Sequence, residues 1–313
     1  LNASPTPPLY EDRFHALSRR MDRLRRAVYW RCKRRRTVLA EIRWRLGDEI
    51  MALPVYEAIK EKWPDARLVV HANFPDLLEG NPHVDAVNEP CKTPDRYICL
   101  RDASRTEPRI QHYARLAGVD APAARPRLYL ENWDAPPFDD LPDAPFVALC
   151  ADASWPTKRW DSTQWRTLTG MLRDAGWPTV ELGVTTQGHE PLGADCSLVG
   201  KTTVRDAACV LKRARVFIGS DSGLMHLALA VDTPSVALFG PTDPSVLVGN
   251  DPRLRAVTND RPCQGCWNGD QRMQEPGVCP LSIPDCLEPI TPAAVFEAFE
   301  AVLDESERCA SSS

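Results

Sequence analysis

The ten residues Phe217-Ile218-Gly219-Ser220-Asp221-Ser222-Gly223-Leu224-Met225-His226 join one apolar run to another through a short polar turn. The spacing predicts a strand from Val216 to Gly219 that opens directly into a helix from Ser222 to Ala230, with the next strand at Ser235 to Phe239. A hydroxyl, a carboxylate and a glycine at a helix start form a site for phosphate, because free backbone N–H groups and the positive dipole end face the anion. His226 lies four residues after Ser222 and shares its face of the helix. Taken alone, such a histidine is more often structural than functional.

The same alternation extends in both directions. On the N-terminal side strands are predicted at Thr37–Arg43, Arg67–His71, Val84–Val87 and Tyr97–Leu100, with helices at Asp48–Lys62, around Asp76–Glu79 and at Arg109–Leu116. Pro54 must then lie near the first turn of its helix or kink it. Nearer the quoted stretch come strands at Phe146–Cys150 and Thr179–Leu182 and helices at Ser162–Ala175 and Val204–Ala214, with a terminal helix at Pro292–Leu303. Strands alternating with helices mean parallel sheet with helical crossovers. The proline-rich, acidic stretch Asp134–Pro145 has the composition of a linker, so the expected architecture is two doubly wound domains with a cleft between them. At Leu46-Gly47-Asp48 the chain leaves the first strand at its carboxyl end, where open α/β sheets bind ligands. Asp48 is a candidate general base there; the competing reading is an N-cap for a helix beginning at Glu49.

Length and composition agree. The 313 residues, 43% hydrophobic and 26% charged, suit two globular domains and exclude wholesale disorder, a fibrous repeat or a disulfide-held miniprotein. No apolar run approaches the roughly 18 to 20 residues of a membrane span, and the first thirty residues lack a signal-peptide core. Leu1 rather than Met opens the chain, which is compatible with removal of a preceding segment. Eleven cysteines, an odd number, point to a reducing cytoplasmic compartment. Net charge is −5, but residues 11–36 hold eleven Lys/Arg and three acids, a net of +8, against −13 for the rest. Within them Phe14, Leu17, Met21, Leu24 and Val28 form one face of a helix. That basic amphipathic helix has three readings: packing on the protein body, lying on an anionic membrane, or gripping nucleic acid. The acidic remainder would repel phosphate backbones, so nucleic acid is not an expected partner.

Four ordered motifs then resemble glycosyltransferase family 9, which includes the ADP-heptose:lipopolysaccharide heptosyltransferases. They are Leu46-Gly47-Asp48 with Pro54; Ser154-Trp155-Pro156-Thr157-Lys158-Arg159-Trp160; Gly200-Lys201-Thr202-Thr203; and the quoted stretch continued through Thr233-Pro234 and Val236-Ala237-Leu238-Phe239-Gly240-Pro241-Thr242-Asp243-Pro244. The resemblance covers roughly residues 37–305 and implies a GT-B fold: two Rossmann-like domains facing a cleft, here preceded by the basic helix. On this reading residues 1–36 are the helix and tail, 37–140 the acceptor-side domain and 141–313 the nucleotide-sugar domain. Asp48 matches the family's catalytic base, Lys158 the lysine that contacts the donor phosphates, and Ser154 a hydroxylic donor contact. Asp221, Ser222, Gly223, Leu224 and His226 match the diphosphate and sugar contacts. Helix N–H groups, Lys158 and a protonated His226 would then stabilise the leaving diphosphate, so that no metal or other cofactor is needed for catalysis. The implied partners are a nucleotide-sugar donor, by default ADP-heptose, and a saccharide acceptor, lipid-linked at the inner face of the cytoplasmic membrane. A catalytically silent nucleotide-sugar-binding module is the alternative function.

Two departures fall where specificity is decided. Heptosyltransferases often carry a ribose-binding acid after the strand at Thr179–Leu182, whereas this chain has Gly183-Val184-Thr185-Thr186-Gln187, and Glu190 comes late. The stretch between Val87 and Arg109 is also short. A Cys-rich loop at 261–287 holds Cys263, Cys266, Cys279 and Cys286, a set able to bind structural zinc or iron, to pack as reduced thiols or to form a labile disulfide. Similar cysteines recur in this loop within the family, some relatives resembling iron-binding forms.

Overall fold

The computed structural model describes residues 36–311 except 103, 124, 131–137, 186–189, 269–272, 274, 276, 280 and 282–285. The expected basic helix at residues 11–36 lies outside them, apart from Arg36.

Two all-parallel sheets form the framework. The first contains β1 (Thr37–Glu41), β2 (Arg67–His71), β3 (Ala86–Val87) and β4 (Arg96–Cys99) in the order β3-β2-β1-β4. Its helices are α1 (Leu46–Lys62) and α2 (Arg109–Ala117), with a 3-10 turn at Pro75–Leu78. The period-2 side-chain alternation of β1 splits the core: Val38 and Ala40 join Leu68 and Val70 under α1, while Leu39, Val69 and Ala86 face the other way. The second sheet has the order β10-β9-β8-β5-β6-β7. Its strands are β5 (Val147–Cys150), β6 (Thr179–Glu181), β7 (Cys196–Ser197), β8 (Val216–Ser220), β9 (Ser235–Phe239) and β10 (Leu254–Thr258). Helices α3 (Ser162–Asp174) and α7 (Pro292–Ser311) cover one face through Trp165, Leu168, Val295 and Phe299. Helices α4 (Val204–Arg213) and α5 (Gly223–Ala230) cover the other, and the short α6 (Pro244–Leu247) follows β9.

This is the GT-B arrangement. Strand order reverses between β1 and β4 in one sheet and between β5 and β8 in the other, and such switch points open a ligand crevice at the carboxyl ends of the strands. The two crevices face each other because α1 packs against α5, so one apolar cluster runs from the first sheet into the second. A buried arginine adds a polar pin. Arg205 on α4 donates to the carbonyls of Asp76 and Glu79, 3.3 Å each, and pairs with the Glu79 carboxylate at 3.2 Å.

Local details differ from expectation. Helix α1 begins two residues early, and Pro54 is its ninth residue, in the interior and not near the first turn, where it has no N–H to give to the ladder. Strands β7 and β10 and helix α6 were not anticipated.

Candidate active site

The first side of the cleft is built by the turn after β1. Arg45 occupies the N-cap position of α1 and Asp48 is the third helical residue, so the capping reading of Asp48 is corrected. Its neighbour Glu49 takes the structural work. Glu49 is 2% exposed and accepts from the backbone N–H groups of Trp44, Asn73 and Phe74 at 3.0, 2.8 and 3.0 Å. Burial pushes its carboxyl above the usual range against the pull of those three donors. Asp48 faces α2 instead: the Tyr113 hydroxyl donates to its Oδ1 at 3.1 Å, and Arg109 Nε stands 3.4 Å from the same oxygen. Tyr113 is fully buried, and burial, then the Asp48 charge, raise its phenol far above the ordinary value, so it remains a donor. Arg109 and Tyr113, four residues apart on one face of α2, therefore fix the carboxylate in the crevice.

The second side is the turn after β8. Asp221 is buried and accepts from Lys158 Nζ at 2.5 Å and from Thr242 Oγ1 at 2.7 Å. Burial alone would raise its pKa, but the Lys158 charge and the hydrogen bonds from Lys158 and Thr242 carry it below the usual value. Asp221 thus anchors Lys158, which also sits 4.3 Å over the Trp155 ring. Ser222 occupies the N-cap position of α5 but makes no side-chain cap, leaving the first N–H groups of that helix for an anion. Gly223 and Gly47 are close-approach positions. A Cβ at Gly223 would meet Leu46 at 2.9 Å, and one at Gly47 would meet His226 Cδ2 at 2.6 Å. The N-termini of α1 and α5 therefore converge on one spot, with Asp48 beside His226. Leu224 is partly buried against the core shared by the two sheets. Ser154 is reached across the cleft by Arg45, whose Nη1 donates to its Oγ at 2.9 Å.

His226 differs from the protonated form expected of it. Burial lowers its pKa below 6.5 against the opposing pull of Asp221 and Asp48, so the imidazole is neutral at pH 7.

The Cys-rich loop borders the same site. Gly265 and Trp267 donate to the carbonyls of Gly240 and Pro241 at 3.0 and 2.8 Å. Across the cleft Arg105 stacks 3.6 Å over Trp267, which meets Trp155 edge-on at 5.0 Å. Cys263, Cys266, Cys279 and Cys286 are free thiols, so the disulfide reading is not realised in this structure. They share one neighbourhood: burial, then the nearby Cys279, Cys266 and Cys263, push the Cys286 thiol up to about 11. Soft thiol donors suit zinc or iron, yet no three His, Cys, Asp or Glu among the described residues stand close enough to hold an ion.

Sequence reading missed Arg45, Arg109 and Tyr113. Arg45 acts across the cleft on Ser154, and the role of Arg109 and Tyr113 depends on which helix packs beside α1, although the shared α2 face of these two was visible in their spacing.

Comparison with known proteins gives a consistent picture. Residues 105–275 match the family model described as Glycosyltransferase family 9 (heptosyltransferase). The lipopolysaccharide heptosyltransferase 1 of Pseudomonas aeruginosa is 29% identical over 134 residues, covering 41% of this chain and 38% of that protein. The lipooligosaccharide heptosyltransferase 2 of Haemophilus influenzae is 28% identical over 187 residues, 49% of this chain and 54% of the relative. The chain thus spans about half or less of the length of these relatives. Among solved structures, the iron-containing dodecameric glycosyltransferase TibC from enterotoxigenic E. coli H10407 superposes with a TM-score of 0.72 at 22% identity, covering 87% of this chain and 77% of that one. The E. coli ADP-heptose lps heptosyltransferase II superposes at 0.64 and 19% identity, covering 87% and 99%.

Proposed function

The chain belongs to glycosyltransferase family 9, and from that premise we propose that it is an inverting, metal-independent glycosyltransferase. It moves a heptose from ADP-heptose to a saccharide hydroxyl of a cell-envelope glycan or glycoprotein. The observation that carries this reading is the meeting of Asp48, held by Tyr113 and Arg109, with the α5 N-terminus and the Asp221-anchored Lys158. The donor choice is supported by a TibC structure in complex with ADP-D-beta-D-heptose, similar to this chain at a TM-score of 0.73.

The diphosphate sits against the free N–H groups of α5 and the Lys158 ammonium, which take up the charge that gathers on it as the glycosidic bond breaks. Asp48 accepts the acceptor hydroxyl proton while that oxygen bonds to the anomeric carbon from the opposite face. One base and one leaving group, placed on opposite domains, give a single displacement and therefore inversion. Neutral His226, packed on Gly47, serves as an uncharged hydrogen-bonding group beside the sugar. Drawn closer together than they stand in this structure, Cys263, Cys266, Cys279 and Cys286 would hold a structural zinc or iron that takes no part in transfer.

The basic segment 11–36 brings this chemistry to an anionic membrane surface at the inner face of the cytoplasmic membrane. Among the described residues no helix is long and apolar enough to cross a membrane. Incubation with ADP-heptose and a truncated envelope glycan in EDTA, followed by NMR of the product, tests the mechanism: the new bond has the anomeric configuration opposite to the donor's. Retention of configuration, or activity that EDTA abolishes and magnesium restores, refutes it.

A further inference from the structure

In doubly wound domains an acidic residue at the carboxyl end of the second strand of the first βαβ unit hydrogen-bonds the ribose of a bound nucleotide. Here that unit is β5-α3-β6, and the chain beyond β6 carries Leu182, Gly183, Val184 and Thr185. The nearby acids are engaged elsewhere. Glu181 is buried within β6 and accepts from the Leu192 N–H, and Glu190 is drawn to α3 by Ser162 at 2.7 Å and Arg166 at 3.0 Å.

A different carboxylate fills the gap. Asp152, two residues beyond the end of β5, reaches sideways across the end of β6, where its Oδ2 accepts from the Val184 N–H at 2.8 Å. It can do so only because residue 183 is glycine, since a Cβ there would overlap that same oxygen. The neighbouring loop repeats the device: Gly200 donates to the Gly183 carbonyl at 2.9 Å, and its missing side chain leaves room for the Thr185 hydroxyl. Val184, 65% exposed, presents an apolar side chain next to this polar rim. Asp152 lies on the β6 side of the β5 end and the α5 N-terminus follows β8 on the other side. Two strand spacings, about 10 Å, separate them, a reach that a nucleoside diphosphate makes from phosphate to ribose.

We propose that Asp152 binds the ribose hydroxyls of the donor nucleotide, supplying from the end of β5 the acid that the turn after β6 lacks, with Val184 beneath the base. The inference rests on the nucleotide-sugar reading given above. Its test is calorimetric titration with ADP and with 2′,3′-dideoxy-ADP. Wild type binds ADP about 10- to 100-fold more tightly, the factor carried by hydrogen bonds from hydroxyls to a charged acceptor. Asp152→Ala loses most of that preference while binding dideoxy-ADP within about twofold of wild type. Gly183→Ala, whose new methyl displaces the carboxylate without touching it chemically, does the same. Asp152→Asn keeps an acceptor for the Val184 N–H and so guards against a folding defect, but loses the charge and part of the preference. Variants that melt like wild type yet retain its full preference for ADP overturn the proposal and leave the nucleotide-sugar reading intact. A wild-type protein that binds neither nucleotide overturns both.

Discussion

Asp48 and Glu49 are adjacent carboxylates with opposite fates, and only the structure separates them. Sequence made Asp48 visible because Gly-Asp follows a strand end, but nothing in it assigned three backbone donors to Glu49 or a tyrosine and an arginine to Asp48. Apart from Trp44, five residues from Glu49, those partners come from segments 24 to 65 residues away, and such contacts leave no local pattern. His226 makes a related point, since its position in the turn was legible and its charge was not. With a folded pKa below the unfolded value of 6.5, the unfolded chain binds more protons than the native one once the pH falls below about 6.5. Stability is therefore full above that pH and declines as pH falls toward the folded pKa. Melting temperatures between pH 7.5 and 5 should fall further for wild type than for His226→Gln, which lacks this titration; parallel curves would show that the imidazole is not held neutral.

At the scale of elements, apolar periodicity identified the long buried strands and helices, because β5, β8 and β9 are buried on both faces and α4 and α5 carry continuous apolar stripes. It failed for β10, whose half-exposed edge sequence Leu-Arg-Ala-Val-Thr buries no residue fully, and for β7, which is two residues long. The described part of the Cys-rich loop is tied by backbone bonds to Gly240 and Pro241, by side-chain bonds of Asn268, Arg105 and Asn259, and by Trp267 stacking, with Leu287 in the core. Protein prepared reduced and without chelator should carry about one zinc or iron per chain. Both metal and thermal stability should be lost in a Cys263→Ser, Cys266→Ser double variant. Elemental analysis that finds no metal would leave the four thiols as packing groups.

For the whole molecule, charge asymmetry and the two-domain alternation were both legible from the start, whereas the convergence of two helix N-termini on one spot required the α1–α5 contact. Eight net positive charges in residues 11–36, at about 1 kcal/mol per Lys/Arg near an anionic leaflet, suffice for reversible adsorption. The 313-residue chain should therefore pellet with anionic but not neutral vesicles. Salt should weaken this as the Debye length falls from about 10 Å at 0.1 M to about 3 Å at 1 M, and deletion of residues 1–36 should abolish it. Equal pelleting of the truncated protein would return the stripe from Phe14 to Val28 to a packing role. The division of labour between the domains is the central claim: a carboxylate from the first acts on a donor held by the second. Asp48→Asn preserves shape while removing the proton acceptor, so it separates the two. Turnover should be nearly abolished, with donor affinity measured by calorimetry within about threefold of wild type; turnover close to wild type would contradict the account.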